Sequence, residues 1–463
     1  MQGNQGTIFR VTTNGVLTCL DSFSGTFGGW PIGGLVPAPD GNLYGTASSG
    51  GAGNHGTVFR VILDGPLTTL LSFNNTNGAF PVGGLTEGSN GDFYGTTYRG
   101  GASDLGTVFR MTSTGLLTNL ISFSGTNGAN PSANLVQGLD GNLYGTTYSG
   151  GIWNSGTVFR ITSNVVLTVL ASFDGTNGSA PDSSFIQGSD GNLYGTTWSG
   201  GTNGNYGTVF RVVNGSIDSL GSFNGTNGFN PRSLVEANDG NFYGVTWHGG
   251  SAGQGTVFRV TTNGGITTLL SFTETNGSGG SYLIQADDGD FCGTTTGGGL
   301  YGQGTVFRLT TNGVLTTIFS FDSTNGSGWK TILQGNDGDF YGVTQSGGSQ
   351  VFGAFQGTLF RLSKNGSYMK LTWFHGDNGF SPTRLIQAKD GDFYGTASTG
   401  GVGGDMLRFS YGTVYRLSIQ PRFREITRTN GNTKTLLEHH SRIGLLSVGD
   451  RVESGPVRLD GPR

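Results

Sequence analysis

The stretch Asp140-Gly141-Asn142-Leu143-Tyr144-Gly145-Thr146-Thr147, followed by Gly156-Thr157-Val158-Phe159-Arg160, decides the fold, because most of the chain repeats it. The second half, Gly-Thr-(Val/Ile/Leu)-(Phe/Tyr)-Arg, begins at Gly6, Gly56, Gly106, Gly156, Gly207, Gly255, Gly304, Gly357 and Gly412. Successive copies lie 50, 50, 50, 51, 48, 49, 53 and 55 residues apart. The first half recurs from Asp40-Gly41-Asn42-Leu43-Tyr44 to Asp390-Gly391-Asp392-Phe393-Tyr394. Self-similarity at a fixed period near fifty marks a repeat architecture.

One unit reads as four strands. Leu135-Val136-Gln137 is strand A, and Asp140-Gly141 is a hairpin turn, because Gly tolerates the positive φ that tight hairpins need. Residues 142–147 form strand B, 156–162 strand C and 166–173 strand D. These runs are rich in Val, Thr, Phe and Tyr and are bounded by Gly, Asn, Asp and Pro. No capped helical periodicity interrupts them. The fold class is therefore all-β, a β-propeller of four-stranded antiparallel blades. A parallel β-helix fits less well, since its rungs are shorter and need no hairpin at a fixed place.

The chain opens inside a unit, with strands C and D, and closes with A, B and C. Seven complete units lie between. The C-terminal strands A to C would pair with the N-terminal strand D as an eighth blade and remove the open edges of the array. That closure leaves one strand C surplus. Residues 1–420 then form the propeller. Residues 421–463 lack the turn-and-strand code and carry 8 of the 25 Lys and Arg residues. They read as a disordered or loosely helical charged tail.

Charged residues are 12% of the chain and the net charge is −4, which leaves no basic footprint for nucleic acid. No apolar run reaches the ~20 residues of a membrane span. No signal peptide is visible, but the chain starts mid-unit, so its absence there weighs little. Cys19 and Cys292 are the only cysteines and have no metal-like spacing.

The repeated Asp-Gly-Asn-Leu-Tyr-Gly-Thr-Thr and Gly-Thr-Val-Phe-Arg motifs, followed by Leu-Thr-Thr-Leu-x-Ser-Phe, resemble the GloVer tandem repeat of bacterial choice-of-anchor proteins. The resemblance covers about residues 6–417. It implies export to an extracellular or cell-surface location, and it brings no activity or catalytic residues. Residues 418–463 contain no recognisable anchor.

The informative positions break the repeat. Tyr98, Tyr148, Trp198 and Trp247 follow strand B in four consecutive units, where the others have Ser48, Thr296, Gln345 and Ser398. Trp153 and Tyr206 lie in nearby B–C loops. On a propeller these six rings form an arc on one face, fit to stack sugars or anchor a partner. The plainer alternative folds the rings onto the Gly-Gly turns as plugs. The strand C arginines read as structural donors rather than an anion-binding ring, and the strand A Gln/Glu series, Glu87, Gln137, Gln187, Glu236, Gln285, Gln334 and Gln387, reads either as a polar collar, if strand A lines the channel, or as hydrogen bonds between blades. The Asp-Gly turns read as hairpins rather than calcium loops. No nucleophile elbow, zinc helix or phosphate loop is present, and no catalytic residue, metal site or cofactor is expected.

The reading is thus a monomeric, exported binding or scaffold module. Its ligand is a glycan, another surface polymer or a surface protein. Two alternatives are a polysaccharide-directed lyase or hydrolase and a purely structural surface protein.

Overall fold

A computed structural model of the chain describes residues 8–11, 17–23, 25–63, 66–181, 185–348, 356–364, 366–375, 378–401, 413–417, 424–427 and 433–436. It is an all-β propeller. Seven antiparallel sheets each contain four strands from one continuous unit. In the third blade the strands are Val136–Gln137, Leu143–Thr147, Thr157–Ile161 and Leu167–Ser172. They pair in sequence order, A to D, within a residue or two of the sequence expectation.

The closure differs from the expected eighth four-stranded blade. The two ends of the chain meet in a five-stranded sheet, ordered Leu17–Asp21, Ile8–Val11, Thr413–Leu417, Phe393–Thr399 and Phe380–Gln387. The regular blades therefore number seven, not eight. Neither copy of strand C is displaced. They lie side by side in parallel, through Ile8 and Val414. Apolar clusters flank this sheet on both sides. One joins Leu385 and Phe393 to Tyr341 and Val343 of blade seven, the other joins Phe23 and Tyr394 to Leu43 and Phe59 of blade one. The ring is thereby closed. Within 421–463, Arg424–Thr427 pairs with Thr433–Leu436, where the sequence predicts no strand. Residues 349–355, 402–412 and 437–463, the last including the stretch read as loosely helical, lie outside the described residues.

Three repeated contacts hold neighbouring blades together. The first is apolar. The Phe ending each strand D meets the strand C Phe of the next blade edge to face, as in Phe73–Phe109, Phe123–Phe159, Phe173–Phe210 and Phe223–Phe258, with centroids 5.0–5.3 Å apart. This is the arrangement that aromatic quadrupoles favour. The strand C Phe also lies against the strand B Gly of its own blade. A Cβ on Gly145 would sit 2.5 Å from the Phe159 ring, so the Tyr-Gly of the repeat admits no side chain.

The second contact is the strand A glutamine. Gln187 donates to the Gly191 carbonyl of its own turn at 2.9 Å and accepts from the Leu139 N–H of the preceding blade at 2.9 Å. Gln137, Gln285, Gln334 and Gln387 repeat the pattern. The series is thus a belt of hydrogen bonds between blades, the structural reading of the two.

The third contact lies at the top of each blade. Thr147 Oγ1 and Thr157 Oγ1 are buried and 2.8 Å apart. Thr147 Oγ1 also accepts from Thr157 N–H and donates to Ser149 O. In blades four to seven, the second Thr reaches the preceding D–A loop, for example Thr256 to Asn227 O at 3.1 Å. Blades two to seven all carry the pair; blade one has Ala47 in place of the first Thr.

The Asp-Gly turns are hairpins, as expected. Asp140 accepts from Asn142 N–H, Asn142 Nδ2 and the Tyr144 hydroxyl, and six turns bond their Tyr in this way. Burial raises the carboxyl pKa at Asp40, Asp140, Asp190 and Asp239, but the hydrogen bonds outweigh it and hold the net value below the usual range. Where the third turn residue is Asp rather than Asn, the strand C Arg pairs with it: Arg110 with Asp92, Arg308 with Asp290, Arg361 with Asp339. In Asn-bearing blades the Nε of Arg60, Arg160, Arg211 and Arg259 is buried without a hydrogen-bond partner. The arginines are structural, not an anion-binding ring. Cys292 replaces the turn tyrosine in blade six and is buried, which pushes its thiol up to about 12.

The tyrosine partners titrate late. Burial first, then the bonded Asp40 or Asp190 carboxylate, raises Tyr44 and Tyr194 from 10.0 to about 12. A raised pKa gives stability that is complete below the unfolded value near 10 and is lost as pH climbs toward 12. We therefore expect an absorbance titration at 295 nm to show two steps. The later step, that of Tyr44 and Tyr194, comes only near pH 12, together with loss of the near-ultraviolet circular dichroism. A single step near 10 with the fold intact would contradict the Asp–Tyr account.

Candidate functional site

The aromatic positions lie on the face that carries the B–C and D–A loops. A backbone relay sets them there. The residue before each blade's Pro has positive φ: Trp30, Phe80, Asn130, Ala180, Asn230 and Ser381. For a bulky residue this is an outlier conformation, and Gly279 and Gly328 supply it in blades six and seven. Ala180 N–H donates to Ser155 O of blade three, and Ala180 O accepts from Trp198 N–H. Asn230 N–H donates to Tyr206 O, and its side chain donates to Trp198 O at 2.9 Å. Phe80 O and Asn130 O take the Tyr98 and Tyr148 N–H groups in the same way. Each ring position is therefore hooked to the loop beside it.

The structure gathers three of the six expected residues into one cluster. Trp198 and Trp247 meet edge to face at 6.2 Å. The Arg232 guanidinium carbon lies 4.8 Å from the Trp198 centroid and 4.0 Å from that of Trp247. His248 stacks on Trp247 at 5.7 Å and on Phe229 at 5.0 Å, and Phe229 meets Tyr206 at 5.4 Å. Such cation–π contacts contribute roughly 0.5–2 kcal/mol each. Burial, then the Arg232 charge, lowers the His248 pKa.

Tyr98, Tyr148 and Trp153 stand apart from this cluster, with no ring contact to it among the described residues. Tyr98 is half-buried, and its carbonyl accepts from Asn130 Nδ2 at 3.0 Å. Tyr148 is 38% exposed, and Trp153, at a loop tip, is 63% exposed. The arc thus divides. Trp198, Trp247 and Tyr206 are half-buried and packed, close to the plug alternative; Tyr148 and Trp153 present open rings.

Sequence reasoning missed Phe229 and Arg232, which follow a D–A loop rather than strand B. It also missed Phe80, and it passed over Leu300 and Tyr301, exposed at the blade six position that carries Ile152 and Trp153 in blade three. The aligned Gly-Gly-Leu-Tyr and Gly-Gly-Ile-Trp loops were the available signal. Among the described residues, no group of three or more His, Cys, Asp or Glu is placed to hold a metal ion. No helix there is long and apolar enough to cross a membrane.

The Gloeobacter/Verrucomicrobia repeat, as a family pattern, matches residues 1–210 and again 183–409. The chain belongs to that family. No curated protein matches this Gloeobacter/Verrucomicrobia repeat chain. Solved structures similar to it include a provisionally assigned 6-phosphogluconolactonase from Bacteroides uniformis, at 15% identity and TM-score 0.45, covering 73% of this chain and 95% of that one. A puromycin hydrolase shares 14% identity at TM-score 0.44, over 80% of this chain and 58% of that one. A gluconolactonase from Xanthomonas campestris shares 13% at 0.35, over 58% and 84%. Likenesses this distant say nothing of activity in the repeat protein.

The division of the arc has an energetic consequence. Trp153→Ala removes an exposed ring and leaves stability within about 0.5 kcal/mol. Trp247→Ala strips Trp198, Arg232 and His248 of their shared partner and costs about 2 kcal/mol or more. Urea unfolding of the two variants measures the difference. Equal effects would mean the two rings share one environment.

Proposed function

We propose that this chain is a binding or scaffold module of an exported or cell-surface protein. Its ligand is a carbohydrate or another surface polymer, held on the loop face of the propeller, 1–420. The observation that carries this reading is the placement of the open rings. Trp153 and Tyr148 stand exposed in blade three, between blade two with Tyr98 and blades four and five with the packed cluster of Trp198, Arg232, Trp247 and Tyr206. Planar rings with polar tips suit the alternating apolar and hydroxylated surface of a sugar chain. The packed cluster supplies rigidity, which lowers the entropy lost on binding. Monomeric action suffices for such a role.

The test is a binding screen of the folded protein against neutral and acidic glycans and cell-wall polymers. A Tyr148→Ala/Trp153→Ala variant accompanies it, since both rings are exposed and their loss spares the fold. A second variant combines Tyr148, Trp198 and Trp247 to Ala. We expect a ligand whose affinity drops at least tenfold in the first variant with the melting temperature unchanged. A ligand that binds parent and both variants equally would remove the aromatic face from the account. Release of cleaved sugar during the screen would instead favour the lyase or hydrolase reading.

A further inference from the structure

Blades two to five end strand B with an aromatic residue. Blade seven has Gln345 there, and the closing sheet has Ser398. Space opens beside these two positions. A cavity of about 170 Å³ lies between blade seven, the closing sheet and blade one. Its polar lining is Thr331, Gln345, Ser381, Thr383 and Ser398, its apolar lining Ile32 and Pro382, and no lining residue is charged.

Two of the hydroxyls are already engaged. Ser398 Oγ donates to Ser381 O at 3.2 Å, and Thr383 Oγ1 lies 2.7 Å from Thr396 Oγ1. Thr331 Oγ1 is different. It is buried without a hydrogen-bond partner, a rare and costly state that a ligand hydroxyl would relieve after a χ1 rotation. Exposed Trp30 precedes Ile32 by two residues in the chain.

We propose that this cavity is a subsite for one neutral sugar unit. The proposal rests on the glycan reading above and names where a single ring of the ligand is seated. Ile32 and Pro382 suit the C–H face of the ring. Hydroxyls and the Gln345 amide exchange hydrogen bonds with its hydroxyl edge. The size admits one ring rather than a chain, since pockets for larger ligands run to about 300 Å³ and above. A uronate would set its carboxylate among lining residues that carry no charge, which disfavours acidic sugars.

The test uses saturation-transfer NMR on the full chain. The probes are methyl glycosides of glucose, galactose, mannose and N-acetylglucosamine, with methyl glucuronate as the charged control. Two variants accompany the parent. Ser398→Tyr adds a ring at the position where blade two holds half-buried Tyr98, and so plugs the cavity. Gln345→Ala removes one hydrogen-bonding group without filling space. We expect at least one neutral glycoside to bind the parent and glucuronate to bind at least tenfold more weakly. We expect Ser398→Tyr to abolish binding and Gln345→Ala to weaken it about fivefold to tenfold. Should Ser398→Tyr fail to fold, Gln345→Ala alone decides. No neutral glycoside binding, no discrimination against the uronate, or unchanged binding in the variants overturns the subsite. Loss of glycoside binding in Trp153→Ala but not in Ser398→Tyr also overturns it, while leaving the aromatic-face reading in place. If polymers bind in the wider screen and no monosaccharide does, the subsite fails and the broader reading stands.

Discussion

A pair of buried threonine hydroxyls at the top of blades two to seven anchors the loops that stand above it. Thr147 and Thr157 tie the end of strand B to the start of strand C and cap the Gly-Gly loop through Ser149 O. In the next blades, Thr208 and Thr256 extend the tie to the D–A loop. The hydroxyls are buried, so their bonds form without competition from water, and loss of either partner strands the other. The positions that follow, Tyr148, Trp198 and Trp247, therefore leave the sheet at fixed points. The edge-to-face phenylalanines carry this order from blade to blade, and the glutamine belt repeats it at the opposite end. A low-charge sequence can build a large ring in this way because Thr, Gln and Asn supply the polar bonds.

Much of this was legible in the sequence, for a physical reason. A repeat shows the same local chemistry many times, so Asp-Gly turns and strand periods reinforce one another. The third blade falls within a residue or two of its expected strands. The closing sheet was less legible. The sequence contains nine copies of strand C, and nothing in their spacing says whether the extra copy is expelled or added. Its addition gives a parallel neighbour, which a rule built on antiparallel hairpins does not anticipate. The aromatic face was half legible. The strand B positions are equivalent in sequence, so they suggested one arc. Their surroundings are not equivalent, because Arg232 enters from the neighbouring D–A loop and draws Trp198 and Trp247 together. A long-range contact of that kind leaves no periodic trace.

Departure from the repeat is the common theme of the features that point to function. Identical residues hold the ring; unlike residues distinguish its faces. Blades three to five gather rings, whereas blade seven and the closing sheet replace them with Gln345 and Ser398 and leave a cavity. The positive-φ position shows the same division. It holds Trp30 and Phe80, exposed and in an unfavourable backbone region, in blades one and two, and unstrained Gly279 and Gly328 in blades six and seven. Strain of this kind costs of order 1–3 kcal/mol per residue and persists where the surroundings enforce it.

The most direct test of the account is a crystal structure of the chain soaked with a neutral oligosaccharide that binds in solution. The account predicts sugar density against the Trp153 and Tyr148 rings, with one unit seated among Gln345, Thr331 and Ser398. Density on the opposite face, at the glutamine belt or against the outer strands would contradict it.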